Sequence, residues 1–159
     1  MSISLPKSIK FIITDFDGII TDNCVYIDTN GNMSRKVNFK DIMGFSLLKK
    51  AGYKIGIISG EKNSAIEKIA QVFSIDEVHQ DIRTKIDVLR KIEAKYNLKK
   101  DEYIYIGDDV NDYESLMYVK YPITVPDATK KIKSIQDIQI TDTKAGEGAF
   151  REVVDAIID

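Results

Sequence analysis

The sequence predicts an α/β fold: a doubly wound, mostly parallel sheet of Rossmann type, with a β-hairpin flap after the first strand and no cap domain. Three observations predict it. Short apolar runs alternate with helical periodicity along the whole chain, which is the pattern of βαβ units layered with helices on both faces. Three of these runs close in polar residues, two in acids and one in Ser-Gly, so chemistry gathers at the carboxyl ends of the strands, where open parallel sheets bind ligands. An Asn-Gly pair between two extended segments marks a hairpin outside that alternation.

The first strand is read at 9–14 and runs straight into Asp15-Phe16-Asp17-Gly18. In an extended backbone residues i and i+2 face one side, so Asp15 and Asp17 converge, and Gly18 lets the chain turn sharply beyond them. The hairpin follows at about 24–38, turning at Asn30-Gly31. A helix fits 41–51 with Gly52 as its stop, then a strand at 54–59 ending in Ser59-Gly60, then a helix at 63–73. A short strand at 77–79 ends at His79, the only histidine, and Lys85 stands near the start of a helix at 84–96. The strand at 103–107 leads into Gly107-Asp108-Asp109-Val110-Asn111-Asp112. A helix at 109–119, a strand at 121–125 and helices at 128–132 and 148–158 complete a single domain over 1–159. Leu47, Leu48, Ile66, Ile69, Leu89, Ile92, Val153 and Ile157 are core positions on these periodicities.

Composition bounds what this domain does. Of 159 residues, 43% are hydrophobic and 30% charged, ordinary for a soluble globule. A net charge of −2 without a basic run argues against nucleic acid as partner or substrate. No apolar run approaches the ~20 residues of a membrane helix, and residues 1–7 lack the apolar core of a signal peptide. With the single Cys24 unable to form an internal disulfide, a cytoplasmic location is expected; Cys24 itself reads as a hairpin strand residue.

Asp15 and Asp17, Ser59, Lys85 and the Asp108 cluster make one active site when the strand ends meet. Crowded carboxylates repel, and oxygen-only ligands select a hard divalent ion, Mg²⁺. An Asp carboxylate then serves as nucleophile on phosphorus, with Asp17 placed to protonate a leaving alkoxide and to activate water. Ser59 and Lys85 would hold phosphoryl oxygens and Asp108 the metal opposite Asp15. Asp109 and Asp112 are read as supports, and Asp112 also as a first-turn acid stabilising its helix. The chain leaves 43 residues between Asp15 and Ser59 and 25 between Ser59 and Lys85, too few in either interval for a lid domain. A neighbouring subunit is therefore expected to cover the site.

Asp15-Phe16-Asp17-Gly18, Ser59-Gly60, Lys85 and Gly107-Asp108-Asp109-Val110-Asn111-Asp112 resemble the four motifs of the haloacid dehalogenase superfamily of phosphatases. Thr21-Asp22, Lys40-Asp41 before Gly44, and the tail from Gly146 to Asp155 are similar to the capless phosphatases of 3-deoxy-ulosonate sugar phosphates. That group includes enzymes acting on 3-deoxy-manno-octulosonate (KDO) 8-phosphate and on nine-carbon KDN or sialic acid 9-phosphates. The resemblance implies Asp15 as nucleophile and Asp17 as acid/base and backbone-carbonyl metal ligand. It implies Ser59 and Lys85 as phosphate ligands, Asp108 as metal ligand, Mg²⁺ as cofactor and a homotetramer whose tails reach adjacent sites.

Substrate choice stays open at this level. Gly60-Glu61-Lys62 is more similar to the nine-carbon group, yet 69–72 lacks that group's basic residues, and Glu147 replaces the arginine usual in the octulosonate tail. Glu61, Lys62 and Lys40 are the candidate sugar contacts. Two other classes share features of the pattern: a phosphoacceptor signalling domain, whose acceptor acid would end the third strand, and a catalytically idle copy serving as an oligomerisation module.

Overall fold

The computed structural model describes residues 3–159. Its centre is a six-stranded, all-parallel sheet in the order β5-β4-β1-β6-β7-β8. The strands are β1 (Phe11–Thr14), β4 (Lys54–Ile58), β5 (Glu77–His79), β6 (Tyr103–Ile106), β7 (Pro122–Thr124) and β8 (Gln139–Ile140). From β1 the chain winds outward through β4 to β5, then returns to the other side of β1 for β6, β7 and β8. The reversal at β1 is the topological switch point at which such sheets form ligand sites.

Phe11, Ile12 and Ile13 are fully buried, which is why β1 reads as a continuous apolar run rather than an alternation. Register aligns the strand ends: Thr14 lies opposite Ile57 of β4 and Ile106 of β6. Pairing continues one residue further, where the Asp15 N–H donates to the Ile106 carbonyl at 2.8 Å. Helices α1 (Phe39–Lys50), α2 (Ser64–Phe73) and α6 (Ala149–Ile158) pack together, as do α3 (Lys85–Lys95) and α4 (Tyr113–Tyr118). The α1–α6 seam is aromatic, with Phe45 and Phe150 ring centroids 4.6 Å apart.

The hairpin consists of β2 (Tyr26–Ile27) and β3 (Met33–Ser34). Asp28 pins its turn by accepting from the N–H groups of Asn30 and Asn32. An isolated bridge between Thr21 and Val37 ties the returning leg to the loop after β1.

Several expectations are corrected in detail. Cys24 is exposed and precedes β2 rather than lying within it. Leu47 is only half-buried against the core, while the other seven core positions are buried. The helix read at 109–119 splits into a 3₁₀ turn at Val110–Asp112 and α4, because Asp109 and Asp112 form a capping box that tightens the first turn. The helix read at 128–132 forms later, as α5 (Lys130–Lys133), and β8 was not foreseen. No helix among the described residues is long and apolar enough to cross a membrane.

Candidate active site

The loops after β1, β4 and β6 enclose a cavity of about 300 Å³ lined by Asp15, Asp17, Ser59, Gly60, Glu61, Asp108 and Asp109, with Asn23, Ile82, Arg83 and Asn111. Two close approaches of backbone to carboxylate shape it. Gly18, at φ +86°, lies so near Asp108 that a Cβ there would stand 2.2 Å from its Oδ2, and a Cβ on Gly107 would stand 2.5 Å from the Asp112 carboxyl carbon. Only glycine leaves space for both acids.

Lys85, the first residue of α3, does not itself line the cavity: its side chain is fully buried and meets the cavity wall through Asp15. Its Nζ meets Asp15 Oδ2 at 2.7 Å and Asp112 Oδ1 at 2.8 Å. Burial pulls its pKa down, but the carboxylates of Asp15 and Asp112 outweigh burial and raise it. Asp112 is fully engaged: Oδ1 also accepts from the Tyr105 hydroxyl at 2.6 Å, and Oδ2 accepts from the N–H groups of Asp108 and Asp109. It is therefore a central strut of the site rather than a first-turn acid alone. Ser59 is held by its N–H, which donates to the His79 carbonyl, and its Oγ accepts from the Glu61 N–H at 3.2 Å. His79 caps the end of β5 and pairs with Glu77, as a strand-end residue should.

Asp15, Asp108 and Asp112 offer carboxylate oxygens within 4.8 Å of one another, all buried. Burial, then Asp112, holds the Asp15 carboxyl well above the usual range, and the same two causes push Asp108 up to about 7. One ammonium is thus too little charge for this cluster. Among the described residues the Asp108 side chain accepts no hydrogen bond, whereas all of Asp112's principal positions are taken. An oxygen-only set with Asp15 and Asp108 facing the cavity fits a hard divalent cation such as Mg²⁺. Asp17 lines the same cavity, but its side chain stands outside the acid cluster and pairs with Arg35 from the hairpin, Nε to Oδ1 at 2.8 Å.

Of the other expected residues, Glu61 lines the cavity, and Lys62 points away into a loose pair with Glu67 at 4.0 Å. Lys40 lies along Gly148 at the start of α6 and does not line the cavity. Sequence reading missed Arg35, Arg83, Asn23 and Asn111. None of them carried a specific signal: Arg35 is one of two adjacent cations, with Lys36, in the hairpin leg that returns to the nucleophile loop.

Fold and acid-lined cavity together define an enzyme of the phosphoric monoester hydrolase class. Residues 74–153 match the family of haloacid dehalogenase-like hydrolases. The chain is 29% identical over 161 aligned positions to the 3-deoxy-D-manno-octulosonate 8-phosphate phosphatase KdsC of Haemophilus influenzae, covering 96% of this chain and 84% of that one. Among solved structures, the corresponding phosphatase of Moraxella catarrhalis, in complex with magnesium, phosphate and KDO, superposes with a TM-score of 0.89 at 28% identity, covering 96% and 87% of the two chains. A probable YrbI family phosphatase from Pseudomonas syringae gives 0.90 at 31% identity, covering 96% and 86%. The chain belongs to the haloacid dehalogenase-like hydrolases.

Proposed function

We propose that this chain is a Mg²⁺-dependent phosphatase of a 3-deoxy-ulosonate phosphate, KDO 8-phosphate in the first instance, acting through a phosphoaspartate on Asp15. The observation that carries the proposal is the fully buried Lys85 clamped between Asp15 and Asp112, beside an Asp108 carboxylate that has no hydrogen-bond donor among the described residues. The relatives that act on KDO 8-phosphate match over nearly the whole chain, which supports that substrate and a single phosphatase domain over 1–159.

In this reading an Asp15 oxygen attacks phosphorus as the bond to the sugar oxygen breaks, and Asp17 gives its proton to the departing alkoxide. Water then attacks the phosphoaspartate, its proton passes to Asp17, and Asp15 is regenerated with release of inorganic phosphate. Ser59 and Lys85 hold the phosphoryl oxygens in line. Asp15 and Asp108 would hold Mg²⁺, with the Asp17 backbone carbonyl as a third ligand. When bound, Mg²⁺ favours the ionised form of both acids and offsets charge on the phosphoryl group. Gly18, Gly60, Asp109 and Asp112 support this arrangement.

Glu61 at the cavity wall favours a second substrate, a nine-carbon KDN or sialic acid 9-phosphate, since an acid there meets hydroxyls or an amine better than a carboxylate. A signalling domain is disfavoured because the third sheet strand, β5, ends in His79 with no acceptor acid. The exposed hairpin side chains Val25, Tyr26, Ile27 and Met33 support a homotetramer in which a neighbour covers the cavity. Small-molecule sugar phosphate as partner and a cytoplasmic setting complete the proposal.

The test is phosphate release from KDO 8-phosphate, nine-carbon 9-phosphates and hexose phosphates in parallel, with and without chelator. Strong, chelator-sensitive preference for one ulosonate phosphate is expected. Equal, weak release from all of them would remove the substrate assignment.

A further inference from the structure

The Asp17 side chain is held from its own loop and from the hairpin together. Oδ1 accepts from Arg35 Nε at 2.8 Å and from Thr21 Oγ1 at 3.1 Å, whereas Oδ2 is buried with no hydrogen-bond partner. Arg35 is the only cation paired with it among the described residues. A buried carboxylate oxygen without a donor is costly, so such a pose persists only where the other contacts over-determine it. They do so here. The Arg35 side chain is 8% exposed, and Val37, two residues on, bridges back to Thr21, itself the second donor to Asp17. The hairpin leg is thus anchored to the loop whose carboxylate it grips, and Arg35, Thr21 and Asp17 form a closed strut.

We propose that Arg35 is a positioning residue for proton transfer by Asp17. The inference rests on the phosphatase reading above and adds to it the role of the hairpin. The hairpin does more than present an outer surface: it carries the cation that fixes where the acid/base stands in the cavity. Proton transfer demands placement within hydrogen-bond reach of the leaving oxygen, and misplacement by about 1 Å costs on the order of 10²-fold in rate.

The signature follows from the leaving group. A sugar alkoxide needs a proton as it departs, whereas 4-nitrophenolate leaves without one. Single-turnover transfer to Asp15 is therefore measured for KDO 8-phosphate and for 4-nitrophenyl phosphate, in the wild type, Arg35→Met, Arg35→Lys and Asp17→Asn, with steady-state KM for each. Arg35→Met is expected to slow transfer from the sugar phosphate by roughly 10- to 100-fold. Transfer from 4-nitrophenyl phosphate should change by less than about 3-fold, with KM nearly unchanged. Arg35→Lys, which keeps one charged donor, should recover part of the loss. A raised KM with kcat preserved would make Arg35 a substrate-binding cation and overturn the proposal. So would equal losses on both esters, which indicate damage to the phosphoryl site or the fold, and so would no loss on either. Asp17→Asn separates this failure from a deeper one. If it shows the selective loss and Arg35→Met does not, only the positioning role falls. If the wild type cleaves neither ester, or Asp17→Asn lacks the signature, the acid/base reading falls and the role of Arg35 with it.

Discussion

Lys85 shows how one residue couples stability to chemistry. A buried ammonium between two carboxylates is tolerable only because both acids face it, and removing it strands two charges in a water-poor cluster. Lys85→Ala should therefore lower unfolding free energy by about 3–5 kcal/mol in urea titrations near neutral pH, as well as abolish turnover. A loss under about 1 kcal/mol would show that the carboxylates simply take up protons. The lysine, Asp15, Asp17 and Asp108 were legible in sequence because each stands at a strand end or helix start that local pattern locates. Asp112 was legible only in part. Its central position depends on Gly107 lacking a Cβ, so that the carboxylate folds back over the loop, a long-range fit that no spacing rule contains. Arg35 was illegible for a related reason: its partner lies 18 positions away.

Among the elements, α6 is seated by an acid from another helix. Asp41 of α1 is fully buried and accepts from the N–H groups of Gly148 and Arg151 at the start of α6, satisfying donors that the helix itself cannot. Burial outweighs these N–H groups and pushes its pKa from 3.8 to about 6. The folded protein then holds a proton that the unfolded chain releases, so the contribution of Asp41 to stability declines as pH rises from about 4 through 6. Asp41→Asn cannot ionise. Its melting temperature relative to wild type should climb across that window and level off above it. A relative melting temperature that stays flat or falls with rising pH would contradict the assignment. Strands β1, β4 and β6 were legible as apolar runs and helices α2, α3 and α6 as apolar periods, whereas α1, which has no clear apolar face, was bounded by its stop at Gly52. The two-residue β8 and the split after Asp112 were not legible, since a two-residue strand has no period and a capping box reads in sequence as an ordinary helix start.

At the scale of the molecule, the doubly wound fold places every catalytic candidate at one end of the sheet and leaves the cavity without a lid of its own. The hairpin beside it exposes Ile27 (67%) and Met33 (59%), whose burial requires another chain. The paired change Ile27→Asp and Met33→Asp should convert the proposed tetramer to smaller species in light scattering while the circular dichroism of the sheet and helices persists. A wild type that is monomeric at micromolar concentration would remove the neighbour from the account of the site. The fold class was readable from alternation alone, because parallel strands buried on both faces leave so plain a mark.

The central claim is that Asp15 carries the phosphoryl group, and the most direct measurement is chemical trapping during turnover. The enzyme is quenched in acid while cleaving KDO 8-phosphate with Mg²⁺, then treated with borohydride, which reduces an acyl phosphate to an alcohol, and its peptides are weighed. Homoserine at position 15, absent from Asp15→Asn and from enzyme without substrate, is the predicted result. Rapid turnover with homoserine at another acid, or at none, would contradict it.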